Sequence, residues 1–186
     1  MTDRSTVVVV GVDAGHGDRG ACEHDALTLA DRLGGVTFVS THVIAEPEPH
    51  YAAVIETTTP LPALALDGVV GSIVAVQDDD PIDTTEALAA AMAAHRTRRS
   101  GRLIRFRGQD RLQGTLPLVD VTIGNAIDDI DCLGARPGPE AVLRTQEFVR
   151  PVFRNGRVTL IIQPYDGVDE YVPFEQPNPH PCCGSH

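Results

Sequence analysis

Hydrophobic residues along this chain recur first at the spacing of a buried strand, then of a helix, then of a strand again. Residues 6–12 are apolar and β-branched and run into glycine, the pattern of a buried strand. After a glycine-rich turn, Ala26, Leu29, Ala30 and Leu33 fall at helical spacing within residues 21–33, with Asp31 and Arg32 on the opposite face and Gly34-Gly35 as the stop. Residues 36–44 return to a strand. This order predicts a β-α-β unit, whose crossover argues for a parallel strand pair within an α/β layer.

The pattern then breaks. Pro47, Pro49, Pro60 and Pro62 punctuate residues 45–66 and predict an irregular crossing. Residues 68–77 read as the next strand. Asp83 is placed to cap a helix, with Glu86 three residues on as in a capping box, and Leu88, Met92 and His95 form its buried stripe. Arg96, Arg98 and Arg99 suit the negative end of that helix. After Gly101 strands and turns take over: residues 103–107 and 116–123 read as strands, and residues 148–163 as a hairpin folded at Asn155-Gly156. With that turn Phe153 faces Val158, Pro151 faces Leu160 and Val149 faces Ile162, giving one apolar face. Pro151 cannot donate to a ladder, so its strand should lie at an edge or carry a bulge.

These elements predict an α/β chain, α+β overall. Its N-terminal half, residues 1–100, carries the β-α-β layer, its half at residues 101–175 is β-rich, and residues 176–186 form a tail, all within a single domain of 186 residues. No apolar run approaches the length of a membrane span, and the N-terminus lacks the basic and apolar regions of a secretory signal, so a cytoplasmic protein is expected. The net charge of -11 disfavours nonspecific attraction to nucleic acid or to an anionic membrane, and neither is expected as a partner; a protein partner or a homo-oligomer stays open. All fifteen basic residues are arginine. Seven of them, Arg96, Arg98, Arg99, Arg102, Arg105, Arg107 and Arg111, cluster, yet without the aromatic interleaving of a nucleic-acid surface they read as a solvated face.

Candidate chemistry concentrates in the tail. His180, Cys182, Cys183 and His186 place two thiols and two imidazoles within seven positions behind a proline-rich approach. Thiolate and imidazole are zinc ligands and also suit nickel, iron and copper, so the tail predicts a transition-metal site, zinc first. Adjacent cysteines rarely pair with each other, whereas a turn at Gly184-Ser185 would bring Cys183 and His186 together. A closed tetrahedral centre needs four ligands. The turn after the first strand offers His16, Cys22 and His24 at the edge where α/β layers place their ligands, so tail and turn are expected to be neighbours. Residues 15–20 also fit G-x-G-x-x-G, but their spacing from the strand and from the next acidic residue favours a surface turn over a dinucleotide site. Asp78-Asp79-Asp80 and the run Asp128, Asp129, Asp131 lack the alternation of a calcium loop and read as acidic turns.

Three resemblances follow from these motifs. The stretch from Val10-Gly11-Val12 through Asp18-Arg19-Gly20 into a helix resembles the opening of hydrogenase maturation endopeptidases, which are α/β proteins that sense nickel while trimming a hydrogenase large subunit. Arg19 stands where that family has an acidic nickel ligand, and only His95 is available for its later histidine. Pro181-Cys182-Cys183-Gly184-Ser185-His186 is similar to the processed end of nickel-iron hydrogenase large subunits, Pro-Cys-x-x-Cys-x-x-His, without the two residues between the cysteines. The tail also resembles that of actinobacterial proteins ending Asn-Pro-x-Pro-Cys-Cys-x-x-His, a likeness that names no activity. The expected function is metal binding. A metallohydrolase related to the maturation peptidases, or a noncatalytic scaffold or accessory subunit docking through its tail, are the alternatives.

Overall fold

A computed structural model describes residues 7–59, 71–77, 84–134, 136–166 and 169–177, with only the backbone described over 72–77. The chain divides into two compact units, Met1–Arg107 with Phe153–Arg157, and Gly108–Val152 with Val158–His186.

In the first unit β1 (Val8–His16) leads into α1 (Arg19–Leu33), β2 (Val36–Ile44), β3 (His50–Thr57), β4 (Ser72–Gln77), α2 (Glu86–Arg96) and β5 (Arg102–Phe106). β1 runs on through Gly11, paired with β3 and β4, and α2 packs so close there that a Cβ would lie 2.5 Å from Met92 Sδ. Asp18 caps α1 by accepting from the Ala21 amide, two residues ahead of the expected start, and Gly34 closes it. Thr85, not Asp83, caps α2: its hydroxyl accepts from the Leu88 amide, which makes Glu86 the first helical residue. Asp83 itself lies outside the described residues.

Residues 50–57 are not an irregular crossing but β3, the strand on which this unit is built. Its eight residues lie between Pro49 and Pro60 and contain no proline, so nothing interrupts the ladder. β3 pairs antiparallel with both β1 and β2, so those two strands do run in the same direction across α1 but are held apart by β3. The order is β4-β1-β3-β2-β5, with β9 (Val152–Arg154) beside β5.

The strands bury both faces. α1 sets Cys22, Ala26, Leu29, Ala30 and Leu33 against Val8, Val10, Val12, Val39, Ala53, Ile55 and Ile104. α2 sets Leu88, Ala91 and Met92 against Val9, Ile44, Ala52 and Val54 on the other face. Each fully buried leucine of this kind contributes about 1.5–3 kcal/mol. A register shift in the β2–β5 pairing lets both Arg102 and Arg105 reach α1, where they bind Glu23 at 2.6 Å and Asp31 at 2.7 Å. Three of the seven clustered arginines, Arg98, Arg102 and Arg105, are thus held in ion pairs within this unit.

The second unit contains β6 (Thr115–Pro117), β7 (Asp129–Cys132), β8 (Val142–Arg144), most of β10 (Arg157–Pro164) and β11 (Glu170–Pro173). The order is β10-β11-β8-β6, with β7 parallel to β10. Residues 118–120 form a 3-10 turn where a strand through residue 123 was expected. Asp128 is structural: its carboxylate accepts from the Val158 amide at 2.8 Å. The expected hairpin turn is present, with Asn155 at φ 52° and Gly156 at φ 81°. Val149, Pro151, Phe153, Val158, Leu160 and Ile162 are all buried, but so is Thr159, so β10 is covered on both faces at that point. Pro151 stands just ahead of the short strand β9, where its missing amide costs no ladder bond.

Among the described residues no helix is long and apolar enough to cross a membrane.

Candidate functional site

The turn after β1 is shorter than expected, only Gly17-Asp18, so His16 ends the strand while Cys22 and His24 stand on α1, and the three candidate ligands have different fates. His16 is half-buried, and its Nε2 lies 2.9 Å from Asp25 Oδ2 on α1. His24 is exposed on the first turn of α1. Cys22 is in the core under α1, where burial, followed by the nearby charges of Glu23, Asp13 and Asp25, pushes its thiol up to about 12. A thiol held that high is protonated at neutral pH when no metal is bound, and it is a poor nucleophile. Cys132 is half-buried, and burial and Asp131 raise its thiol as well. No group of three or more His, Cys, Asp or Glu side chains that could hold a metal occurs among the described residues. His180, Cys182, Cys183 and His186, and with them the expected approach of tail to turn, lie outside those residues.

Near that turn a second histidine is locked by its partners. His50 Nδ1 lies 2.6 Å from the Glu48 carbonyl and Nε2 lies 3.1 Å from Asp13 Oδ2. Both partners accept, so the ring satisfies both only when both nitrogens carry a proton. The hydrogen bond to the Glu48 carbonyl is accordingly the first cause that raises its pKa, opposed by burial and helped by Asp13. His16 pairs with the strand position Tyr51, whose side chain packs with α1, whereas His50 neighbours Tyr51 on β3 and so takes the opposite face of the sheet. The two His–Asp pairs therefore do not converge on one ion.

The most elaborate constellation lies on the α2 face of the same unit. β2 contributes Ser40 and His42, β3 contributes Glu56, and His95 descends from the last turn of α2. Ser40 Oγ lies 2.8 Å from His42 Nε2 and 2.7 Å from His95 Nδ1. His95 Nε2 lies 3.5 Å from Glu56 Oε2, which also accepts from Arg98 at 2.8 Å, while Thr37 donates to Glu56 Oε1 at 2.8 Å. One proton arrangement leaves no ring N–H without an acceptor: His42 Nε2–H donates to Ser40, Ser40 O–H to His95 Nδ1, and His95 Nε2–H to Glu56, while Arg98, whose Nη1 lies 3.4 Å from the same Nε2, donates to Glu56 through Nη2 instead. Arg98 follows the helix with φ 53° and stacks its guanidinium 4.2 Å from the Phe38 ring centroid and 4.6 Å from that of Phe153.

Burial dominates the electrostatics. It lowers His42 to about 3, with His95 adding to the effect, and it lowers His95 against the opposing pull of Glu56. Burial alone would raise the Glu56 carboxyl, but hydrogen bonds from His95 and Thr37 and the charge of Arg98 outweigh it and bring the group to about 2. At neutral pH the site is thus two neutral imidazoles, a carboxylate and a guanidinium.

Ser40, His95 and Glu56 have the composition of a hydrolytic triad, but the geometry does not support nucleophilic attack. Ser40 and His95 are each 0% exposed, so no substrate carbonyl can reach the hydroxyl. Gly101 closes the site: a Cβ there would stand 2.7 Å from His42 Cε1 and 3.2 Å from the Phe153 ring. The constellation links the end of α2 to β2 and β3, with the Phe153 ring of β9 packed against His95. The sequence marked His95 as part of a buried stripe and as the histidine available for the later ligand of the maturation endopeptidases, but not Ser40, His42 or Glu56.

Comparison with protein-family models, curated proteins and solved structures gave no match for this chain.

Proposed function

We propose that this chain is a metal-binding protein whose ligands are the tail residues His180, Cys182, Cys183 and His186, with zinc as the first candidate metal. The observation that carries this reading is the donor set itself: two thiols and two imidazoles within seven positions match the ligand types of a tetrahedral zinc centre. The setting of the other cysteines supports it. Cys22 is enclosed by apolar side chains, and neither it nor Cys132 belongs to a group of three or more possible ligands among the described residues, which favours the tail as the source of thiolate. His16 and His24 are not needed to complete four ligands.

The test is elemental analysis of protein purified without an affinity tag. Roughly one metal ion per chain is expected. Cys183→Ser should lose most of that metal, whereas Cys22→Ser should keep it. Full metal content in Cys183→Ser, or loss confined to Cys22→Ser, would overturn the assignment.

A further inference from the structure

We propose that the chain His42–Ser40–His95–Glu56, with Arg98, is an acid-sensitive latch that holds the end of α2 and β9 to the sheet and releases them when the imidazoles take up protons. It is a conformational device, independent of metal binding. The tethered segment is defined by its backbone bonds. After α2, the Arg98 amide donates to His95 O and the Arg99 amide to Ala94 O; from β9 and its turn, the Phe153 amide donates to Gly101 O and the Gly156 amide to Arg98 O. Of the residues they join, His95, Arg98 and Phe153 carry side chains in the constellation, and Gly101 lies against His42. Arg98 lies between Phe38 and Phe153 while holding Glu56, and the Phe153 ring packs edge-on to His95 at 5.1 Å.

The two rings meet one hydroxyl, which has a single proton to give. With both imidazoles neutral, Ser40 accepts from one and donates to the other. A proton added at His95 Nδ1 turns that acceptor into a donor, so Ser40 then faces two donors and its own O–H loses its acceptor. The charged groups around the rings cannot rescue this arrangement. Glu56 from β3 is shared with Arg98 and Thr37, and Arg98 repels a second cation; β5 and the residue before it present Leu103 and Gly101, and β9 presents Phe153. In the released state the rings are solvated and accept protons at the ordinary histidine value.

The sign follows from linkage. Both imidazoles lie below their ordinary value when latched, so the latch is fully held above about pH 6.5 and weakens as pH falls from there toward about 3. Release that takes up one proton becomes about tenfold easier per pH unit, and release that takes up two becomes about a hundredfold easier.

Native-state hydrogen exchange, corrected for the intrinsic pH dependence of exchange, tests this on the full chain. Between about pH 6 and pH 4 the protection of the Arg98, Arg99, Phe153 and Gly156 amides should fall by at least about tenfold per pH unit. The amides of Leu29 and Ala30 on α1 should change far less. In His42→Gln the dependence should drop by about tenfold per unit. Protection that stays flat in the wild-type protein, or that falls in step with Leu29 and Ala30, would overturn the latch even if the variant did not fold.

Discussion

Gly101→Ala is expected to destabilise the protein by about 3–5 kcal/mol in urea unfolding. Two costs add. Gly101 has φ 135°, a conformation that side-chain-bearing residues rarely adopt, at about 1–3 kcal/mol. The new Cβ would also meet His42 Cε1 at 2.7 Å and Nε2 at 3.0 Å, and the ring cannot swing aside without breaking its bond to Ser40. Overpacking a buried site of this kind costs about 1–3 kcal/mol. A loss below about 1 kcal/mol would mean that the imidazole moves freely and that the site is not locked.

Glu56→Ala is expected to cost about 2–4 kcal/mol at neutral pH, because it removes the carboxylate that Arg98, Thr37 and His95 share and leaves an Arg98 guanidinium wedged between two rings. The carboxylate is 12% exposed and Arg98 23%, so water recovers part of what a fully buried pair would lose. The effect should depend on pH in a defined direction. Glu56 falls from 4.5 to about 2 on folding, so its contribution is fully present above about 4.5 and disappears as pH falls toward about 2. Wild-type and variant unfolding curves should therefore converge across that interval. A pH-independent gap would mean that the carboxylate acts through packing instead of charge.

The fold was legible where a single helix or strand buries one face. Ala26, Leu29, Ala30 and Leu33 marked α1, and Asn155-Gly156 marked the hairpin, because spacing and positive φ are local properties. β3 was not legible. The prolines before and after it dominated the reading of residues 45–66, although none falls within the strand, and its position between β1 and β2 is set by packing that no local pattern encodes. The interior constellation was hidden for a related reason. Phe38, Ser40, His42 and Ile44 alternate with Val39, Thr41 and Val43, so Ser40 and His42 look like the solvent face of a half-buried strand. α2 covers that face, and the polar groups satisfy one another across fifty-five residues, as Ser40 does with His95. The one available signal was that His95 stands at a buried helical position, where an imidazole needs a partner. For Cys22 the ambiguity lay in chemistry: a ligand thiol and a small core residue look alike in sequence, and only its enclosure under α1 separates them.

X-ray absorption at the metal edge of untagged protein tests the proposed centre most directly, because sulfur and nitrogen ligands are distinguished by distance. Two sulfur scatterers at about 2.3 Å and two nitrogen scatterers at about 2.0–2.1 Å are predicted for zinc held by Cys182, Cys183, His180 and His186, with the sulfur shell lost in the double variant Cys182→Ser, Cys183→Ser. A first shell of nitrogen and oxygen alone, or a sulfur shell that survives that double substitution, would contradict the account.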